Sequence, residues 1–245
     1  MWGIARRKNL GQALQKVLSA GSMAVCEALN SVLDEEMLAD HSFLDGLEST
    51  RISKGLLEKY GPDRVLDTPI TEAGFEGIGV GAAYYGLRPA VEFMIFNFSM
   101  QVRVAISYST HLISNYMSAG QISVPIVFRG PNGANAGVDA QHSQCYAAWY
   151  AHPDPVVFLE NELLYGESFP ISAEVLDSSF CLPIGKAKIE RDGKYVTITS
   201  FSKMVGHALQ VCCRDTFKGI SAEVDDIVSA VKRACYRSIL MAATT

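Results

Sequence analysis

Two short segments of this sequence hold the side chains best suited to chemistry. The first is DTPITEAGFEGIGVGAAYYG (residues 67–86), in which Glu72 follows a Thr-Pro-Ile-Thr entry and precedes glycine and apolar residues. A carboxylate here can begin a helix, because an acid in the first turn meets unpaired N–H groups and the positive end of the helix dipole. It can equally be a buried catalytic acid. The segment alone leaves both interpretations open.

The second segment is the loop PNGANAGVDAQHSQ (residues 131–144), which follows the apolar stretch VPIVFRG and contains His142. Loops after parallel strands often hold ligands, and histidine is the side chain that changes charge nearest neutral pH. A structural histidine bonded to the backbone fits equally well. Ser143 and Cys145 lie beside it, but closeness in sequence does not make a nucleophile and base, and no Gly-x-Ser-x-Gly elbow is present. A hydrolase is therefore disfavoured.

The motif GIGVGA (residues 77–82) matches a relaxed dinucleotide-binding fingerprint. It lacks the preceding apolar strand and a well-placed ribose-binding acid, so the sequence argues against a dinucleotide site. The glycines instead predict a helix that packs close to another backbone, either within this chain or in a partner chain.

Composition excludes several classes of protein. The chain has 245 residues, 49% hydrophobic and 19% charged, which predicts a globular protein with a sizeable core. A net charge of −5 gives no support for a nucleic-acid partner. No apolar run approaches the roughly 20 residues that span a membrane. The six cysteines include no Cys-x-x-Cys pair, which disfavours a zinc site or a disulfide framework and indicates reduced thiols.

Residues 1–23 are predicted to be a mitochondrial transit peptide. No acidic residue occurs between Met1 and Cys26, whereas Arg6, Arg7 and Lys8 are basic and apolar residues follow them. Basic, acid-free, weakly amphipathic leaders are typical of such peptides. An ordinary basic helix end is the alternative.

The elements that must position these side chains alternate between helices and strands. Apolar spacing predicts helices in residues 25–37, 51–64 (ended by Gly61-Pro62), 96–120, 204–213 and 225–237. Apolar runs predict strands in residues 89–94, 124–130, 154–161 and 220–224, and a hairpin in residues 184–203 that turns at Asp192-Gly193. This alternation predicts an α/β fold with a parallel sheet flanked by helices.

Three stretches carry a resemblance to a known family. DTPITEAGFEGIGVGAAYYGLRPAVEFMIFNFSMQ, SVPIVFRGPNGANAGVDAQHSQCYAAWYA and PVVFLENELLYGESFPI closely resemble the beta subunit of the decarboxylating component of mitochondrial pyruvate dehydrogenase, a thiamine diphosphate enzyme. The RGPNG and AQHSQ loop distinguishes it from the branched-chain 2-oxo acid relatives. The resemblance implies a transketolase-like pyrimidine-binding domain in residues 24–170, incomplete, and a truncated C-terminal α/β domain in residues 171–245.

The resemblance implies two catalytic residues. Glu72 would hydrogen-bond a ring nitrogen of the cofactor's aminopyrimidine and favour the imino tautomer, whose nitrogen can take the proton of the thiazolium carbon. The cofactor would then serve as the electron sink when pyruvate loses carbon dioxide. His142 would face the substrate and assist acyl transfer to a lipoyl group.

Other positions are implied to bind the cofactor or a metal ion. Ile70, Phe98 and Gln101 would line the aminopyrimidine pocket with Glu72, and Ile126 would offer its backbone carbonyl to a structural potassium ion. For Phe98 a pocket role and a core role are about equally supported, whereas the nearby Phe93 and Phe96 are expected in the core.

The resemblance also implies partners. The chain lacks Gly-Asp-Gly followed by Asn-Asn, the thiamine-family signature for magnesium and diphosphate. The site would therefore be completed by an alpha subunit in an α2β2 heterotetramer, with magnesium held mainly by alpha. The acetyl group would pass to a lipoyl-bearing acetyltransferase component, yielding acetyl-CoA in the mitochondrial matrix.

Family segments are missing at three places: between Leu44 and Ile52, between Ala151 and Asp154, and after Val224. Two alternatives therefore stay open. One is a non-catalytic variant that only binds the alpha subunit, and the other is the beta subunit of another 2-oxo acid dehydrogenase.

Overall fold

The computed structural model describes residues 22–47, 52–101, 124–133, 139–144, 156–172, 188–194, 196–200, 202–217 and 222–226. They belong to two compact units. The first comprises Met1–Met94, Gln101–Phe128 and Leu163–Cys181, and the second comprises Ile95–Met100, Arg129–Glu162 and Leu182–Thr245. Most of the predicted leader, the predicted helix beyond Gln101 and the predicted terminal helix beyond Asp226 lie outside the described residues.

Three helices of the first unit carry its core and the candidate acid. They are α1 (Val25–Ala39), α2 (Leu56–Tyr60) and α3 (Glu72–Tyr84). The buried face of α1 places Leu33 and Met37 against Ile52 and Leu56. Helix α2 ends at Gly61, whose φ of 78° suits a residue without a side chain. The predicted helix in residues 25–37 is thereby confirmed, and the one predicted in residues 51–64 is the shorter Leu56–Tyr60, which ends before Gly61-Pro62 as predicted.

Three strands of the first unit pair in parallel beside these helices. In their sheet β2 (Phe43–Leu47) lies between β3 (Val65–Asp67) and β4 (Arg88–Glu92), and the first residues of β5 (Val127–Pro131) lie beside β4. Both β3 and β4 pair with β2 in parallel, with Asp45 opposite Val65 and Ala90. A separate antiparallel pair joins β1 (Ser22–Ala24) to β7 (Ser168–Pro170).

Helix α3 packs closely on β4. Phe75 lies 5.3 Å from Phe93 between ring centroids, and Phe93 lies 6.3 Å from Phe128, so three buried rings join helix and strands. Gly79 brings the helix backbone so near the sheet that an added Cβ would lie 2.5 Å from Cγ2 of Val91. The glycines of GIGVGA thus lie inside a helix and not in a strand-to-helix turn, and Gly79 permits the close packing that the sequence predicts.

Gly79→Ala is expected to be less stable than Gly77→Ala by about 1–3 kcal/mol in free energy of unfolding, the usual cost of overpacking a core. Both changes add the same helix propensity, but a Cβ at Gly77 meets nothing within 4 Å, whereas one at Gly79 meets the buried, β-branched Val91. Urea denaturation of the two variants measures the difference. Equal midpoints would contradict the close approach.

The second unit contains the rest of β5, its neighbour β6 (Val156–Glu160) and a second sheet. That sheet consists of β8 (Lys188–Arg191), β9 (Val196–Ser200) and β10 (Ala222–Asp226), with α4 (Lys203–Phe217) between β9 and β10 in sequence. Ala208 and Cys212 of α4 are buried with Ile198 packed against them. The predicted helix in residues 204–213 and the predicted strand near residues 220–224 are confirmed.

The predicted hairpin in residues 184–203 is wrong. β10 lies between β8 and β9, antiparallel to β8 and parallel to β9. In a strand–helix–strand unit the second strand lies parallel beside the first. β10 therefore occupies the edge of β9 that β8 would have occupied in a hairpin. Asp225 and Asp226, predicted to begin the terminal helix, instead belong to β10.

The predicted fold class is confirmed: parallel strands flanked by helices form an α/β fold. Cys26 and Cys212 carry free thiols, as the cysteine spacing indicates. Within the described ranges, no helix has both the length and the apolar character needed to cross a membrane.

Candidate active site

Glu72 is the first residue of α3 and follows an extended entry. The helix-start interpretation is therefore correct for its position, but Thr71 caps the helix without a side-chain hydrogen bond. The half-buried Glu72 carboxylate has no hydrogen bond or ion pair with any described residue. Ile70, just before it, is 72% exposed. A carboxylate without a partner among the residues that the structure describes can interact with a ligand.

A second carboxylate of α3 lies four residues further on, and the sequence reasoning missed it. Glu76 is 1% exposed, and its Oε1 has no hydrogen-bond partner among the described residues. Burial raises the pKa of Glu76 from 4.5 to about 7. Burial also raises the pKa of Tyr84, and the charge of Glu76 adds to that. The signal available in the sequence was the four-residue spacing between Glu72 and Glu76, because residues i and i+4 lie on the same face of a helix.

Glu76→Gln is expected to remove a pH dependence of stability. A carboxyl whose pKa rises from 4.5 unfolded to about 7 folded binds its proton more tightly in the folded state. The protonated carboxyl therefore contributes its full share to the free energy of unfolding below pH 4.5. This contribution is lost as the pH rises to about 7, a loss of up to about 3 kcal/mol. Free energies of unfolding of both proteins at pH 4.5 and pH 8 check this. An equal pH dependence in the variant would contradict it.

His142 lies in a short 3-10 turn, Ala140–His142. Asp139, just before the turn, has a positive φ of 43°, a conformation that strains a residue other than glycine. Two donors converge on the Asp139 carbonyl: the His142 N–H at 3.3 Å and the Ser143 hydroxyl at 3.0 Å. Ser143 is thus engaged in holding the turn, and Cys145 lies outside the described residues.

The ring of His142 stands against Phe98. The two ring centroids are 5.3 Å apart at an interplanar angle of 86°, an edge-to-face contact between half-buried side chains. Nδ1 of His142 is buried and has no partner in the described part of the chain. The structure therefore brings together two of the residues predicted for the site and leaves a ring nitrogen available for a ligand.

Asn97, which the sequence reasoning did not single out, holds the same turn. It is 5% exposed, and its Nδ2 donates a hydrogen bond of 2.9 Å to the carbonyl of Gln141. Its Oδ1 is buried without a partner among the residues described. No periodicity or motif marks an asparagine that acts on residues more than forty positions away.

A buried ion pair joins the middle of β5 to the last residue of β6. Nη1 of Arg129 is 3.1 Å from Oε1 of Glu160, and the two side chains are only 6% and 3% exposed. The N–H of Asn132 donates to the Glu160 carbonyl at 2.9 Å, and that of Gly133 donates to Gln144 at 3.2 Å. Both ends of the loop that carries His142 are thereby tied to the strand edge.

The remaining predicted site residues are placed only in part. Gln101 ends the 3-10 helix Phe96–Gln101, and its side chain is outside the described part of the chain. Ile126 lies just before β5 with its side chain 2% exposed, and its role as a potassium ligand stays a prediction. In the ranges the structure covers, no three His, Cys, Asp or Glu side chains are grouped to hold a metal ion. Phe93 and Phe96 are fully buried, as expected.

The unpartnered polar atoms test whether the residues fit an aminopyrimidine cofactor. The Glu72 carboxylate can hold or accept a proton, and Nδ1 of His142 and Oδ1 of Asn97 can each accept a hydrogen bond. Buried polar atoms are costly unless they are satisfied, so these atoms suit a polar ligand. The Glu72 carboxylate in the first unit, and the His142 and Asn97 atoms in the second unit, each taken by itself, suit a polar group of such a cofactor.

Comparison with known proteins places the chain in a class and then in a family. Residues 21–164 match the family model of the transketolase pyrimidine-binding domain. A rice protein, pyruvate dehydrogenase E1 component subunit beta-1, mitochondrial, is 62% identical over 94% of this chain and 74% of its own length. The Arabidopsis thaliana protein of the same name is 60% identical over 91% and 71%. The chain belongs to the family of pyruvate dehydrogenase E1 beta subunits.

Solved structures support the fold alone. A split-gene transketolase described as an inactive beta4 tetramer has a TM-score of 0.58 at 19% identity, covering 83% of this chain and 70% of that one. A Campylobacter jejuni transketolase has a TM-score of 0.60 at 14% identity, covering 84% and 35%.

The comparison also bears on the missing segments. The rice alignment is 279 positions long, more than the 245 residues of this chain. The rice protein therefore contains residues within the aligned range that this chain lacks.

Proposed function

We propose that this chain is a catalytic beta subunit of pyruvate dehydrogenase, which uses thiamine diphosphate to decarboxylate pyruvate oxidatively and transfers the acetyl group to a lipoyl group. The observation that carries the proposal is the half-buried Glu72 carboxylate, which begins α3 and has no partner among the described residues. In a family whose relatives are named as pyruvate dehydrogenase subunits, such an acid suits the aminopyrimidine of the cofactor.

Each site residue of this chain has a role in the proposal. When bound, thiamine diphosphate supplies the reactive carbon acid and the electron sink. Glu72 shares a proton with a ring nitrogen of the aminopyrimidine, while Ile70, Phe98 and Gln101 line that ring's pocket. His142 faces the substrate and assists transfer to the lipoyl group, and its buried Nδ1 has no hydrogen-bond partner among the described residues.

The other half of the site comes from an alpha subunit in an α2β2 heterotetramer. Alpha holds most of the magnesium site, since this chain has no Gly-Asp-Gly and Asn-Asn signature. The Ile126 carbonyl binds potassium, and a lipoyl-bearing acetyltransferase component receives the acetyl group to form acetyl-CoA.

The proposed location is the mitochondrial matrix, because the relatives are named mitochondrial and residues 1–23 resemble a transit peptide. The proposed domains remain residues 24–170 for pyrimidine binding and residues 171–245 for the truncated C-terminal domain.

The test is reconstitution. The full chain is co-expressed with an alpha subunit, and release of carbon dioxide from carboxyl-labelled pyruvate is measured with and without thiamine diphosphate. Cofactor-dependent release supports the proposal. Co-elution with alpha without release above a Glu72→Gln control would overturn it in favour of a non-catalytic subunit. Preference for branched-chain 2-oxo acids would overturn it in favour of a related dehydrogenase.

A further inference from the structure

Two consecutive residues of one 3-10 helix hold two consecutive residues of the loop that carries His142. Asn97 donates to the backbone carbonyl of Gln141 at 2.9 Å, and the ring of Phe98 contacts the ring of His142 at 5.3 Å. The first contact fixes the backbone of the turn, and the second fixes the direction of the imidazole. Together they define both the place and the orientation of His142.

The turn needs such an anchor because its own bonds are weak. Its internal N–H bonds to Asp139 and Ala140 are 3.3 and 3.2 Å long, near the upper end of the hydrogen-bond range. The positive φ of Asp139 adds strain of about 1–3 kcal/mol, which the surroundings must hold in place. A donor from outside the turn meets this requirement, and the Nδ2 group of Asn97 is that donor.

The burial of Asn97 also favours a specific role over simple packing. The side chain is 5% exposed, and Oδ1 is buried with no partner in the described ranges, which is a cost that an apolar residue of similar volume would avoid. What an apolar residue cannot do is donate to the Gln141 carbonyl. The donor half of the amide is therefore its structural contribution.

We propose that Asn97 is a positioning residue for His142: its amide anchors the Ala140–His142 turn so that the imidazole stays against Phe98 and toward the substrate. The proposal rests on the proposed function of His142 in acetyl transfer. Asn97 acts through the Gln141 carbonyl and not by contact with the reacting atoms.

The first test uses Asn97→Asp, which keeps the shape of the side chain but places an oxygen where the donor stood and repels the Gln141 carbonyl. In the assembled complex, modification of histidines by diethyl pyrocarbonate is followed by peptide mass spectrometry. His142 should react several-fold faster in the variant, while the exposed His207 on α4 serves as an unchanged reference. An unchanged rate at His142 would overturn the proposal.

The matched control is Phe96→Leu. Phe96 lies in the same 3-10 helix and is fully buried, so this change loosens the core next to Asn97 without removing the donor. The His142 rate should stay at its original value in this control. An equal increase in both variants would overturn a specific role for Asn97.

The second test is a double-mutant cycle on transfer of acetyl to lipoamide. Asn97→Asp alone should lower this rate by about 10- to 100-fold, since a small displacement of a catalytic group has that effect. In the His142→Gln background the same change should have little further effect, because the residue it positions is gone. Additive losses would overturn the proposal. An inactive unmodified complex would instead count against the proposed function, and the histidine modification rates would still decide the role of Asn97.

Discussion

Replacing Glu72 by glutamine is expected to lower thiamine-dependent release of carbon dioxide by about 10²–10⁴-fold, the usual contribution of a positioned acid or base. Glutamine keeps the shape of the side chain but cannot exchange a proton with a ring nitrogen. The carboxylate makes no bond to a described residue, so within the described part of the chain the change removes no ion pair. Stability should fall by no more than about 1 kcal/mol, the value of an acid in a first helical turn.

Glu27→Gln is the matched control for this prediction. Glu27 is an exposed acid in the first turn of α1, so its replacement removes the same charge from the first turn of another helix. Turnover of this variant should equal that of the unmodified complex. If Glu72→Gln kept more than about a tenth of the activity, Glu72 would not be the acid that the mechanism requires.

Arg129→Met is expected to cost about 3–5 kcal/mol in free energy of unfolding, because it leaves the Glu160 carboxylate buried without its cation. The side chains of the pair are 6% and 3% exposed, so water cannot replace the lost partner. Adding Glu160→Leu should return much of the loss, since it removes the buried carboxylate together with its cation. Urea denaturation of the wild type and of the single and double variants measures each step.

An exposed ion pair serves as the comparison for the buried one. Arg88 and Asp40 are 3.0 Å apart, but the Arg88 side chain is 60% exposed and the solvent screens its charge. Arg88→Met should therefore leave the denaturation midpoint nearly unchanged. If Arg129→Met were as mild as Arg88→Met, the buried pair would not hold the strand edge.

An element of the fold was predictable from the sequence where its local residue pattern matched the position that it takes in the tertiary structure. The helix at residues 25–39 and the apolar strands near residues 89 and 127 have patterns that match their positions, and all three were predicted. Strand β2 was missed, because Asp45-Gly46 is typical of a turn and yet lies between two parallel neighbours. The predicted hairpin failed for the same reason: β10, distant in sequence, lies beside β8.

The residues of the candidate site were likewise predictable only where a local sequence pattern marked them. Glu72 and His142 were proposed because they occupy distinctive motifs, and the structure adds that the Glu72 carboxylate and the His142 Nδ1 have no partner among the described residues. Glu76 follows Glu72 by one turn, but only burial makes its pKa unusual. Asn97 was invisible in sequence because its function is a single hydrogen bond to a distant backbone.

The sequence by itself determined the family, the helices and apolar strands with regular spacing, and the two segments that carry the candidate chemistry. These properties are local, since each depends on residues within a turn, a strand or a motif. Only the tertiary structure decided which polar groups are buried, which are paired and which strand lies between two others. Burial, pairing and strand order depend on residues far apart in the chain, and no local pattern encodes them.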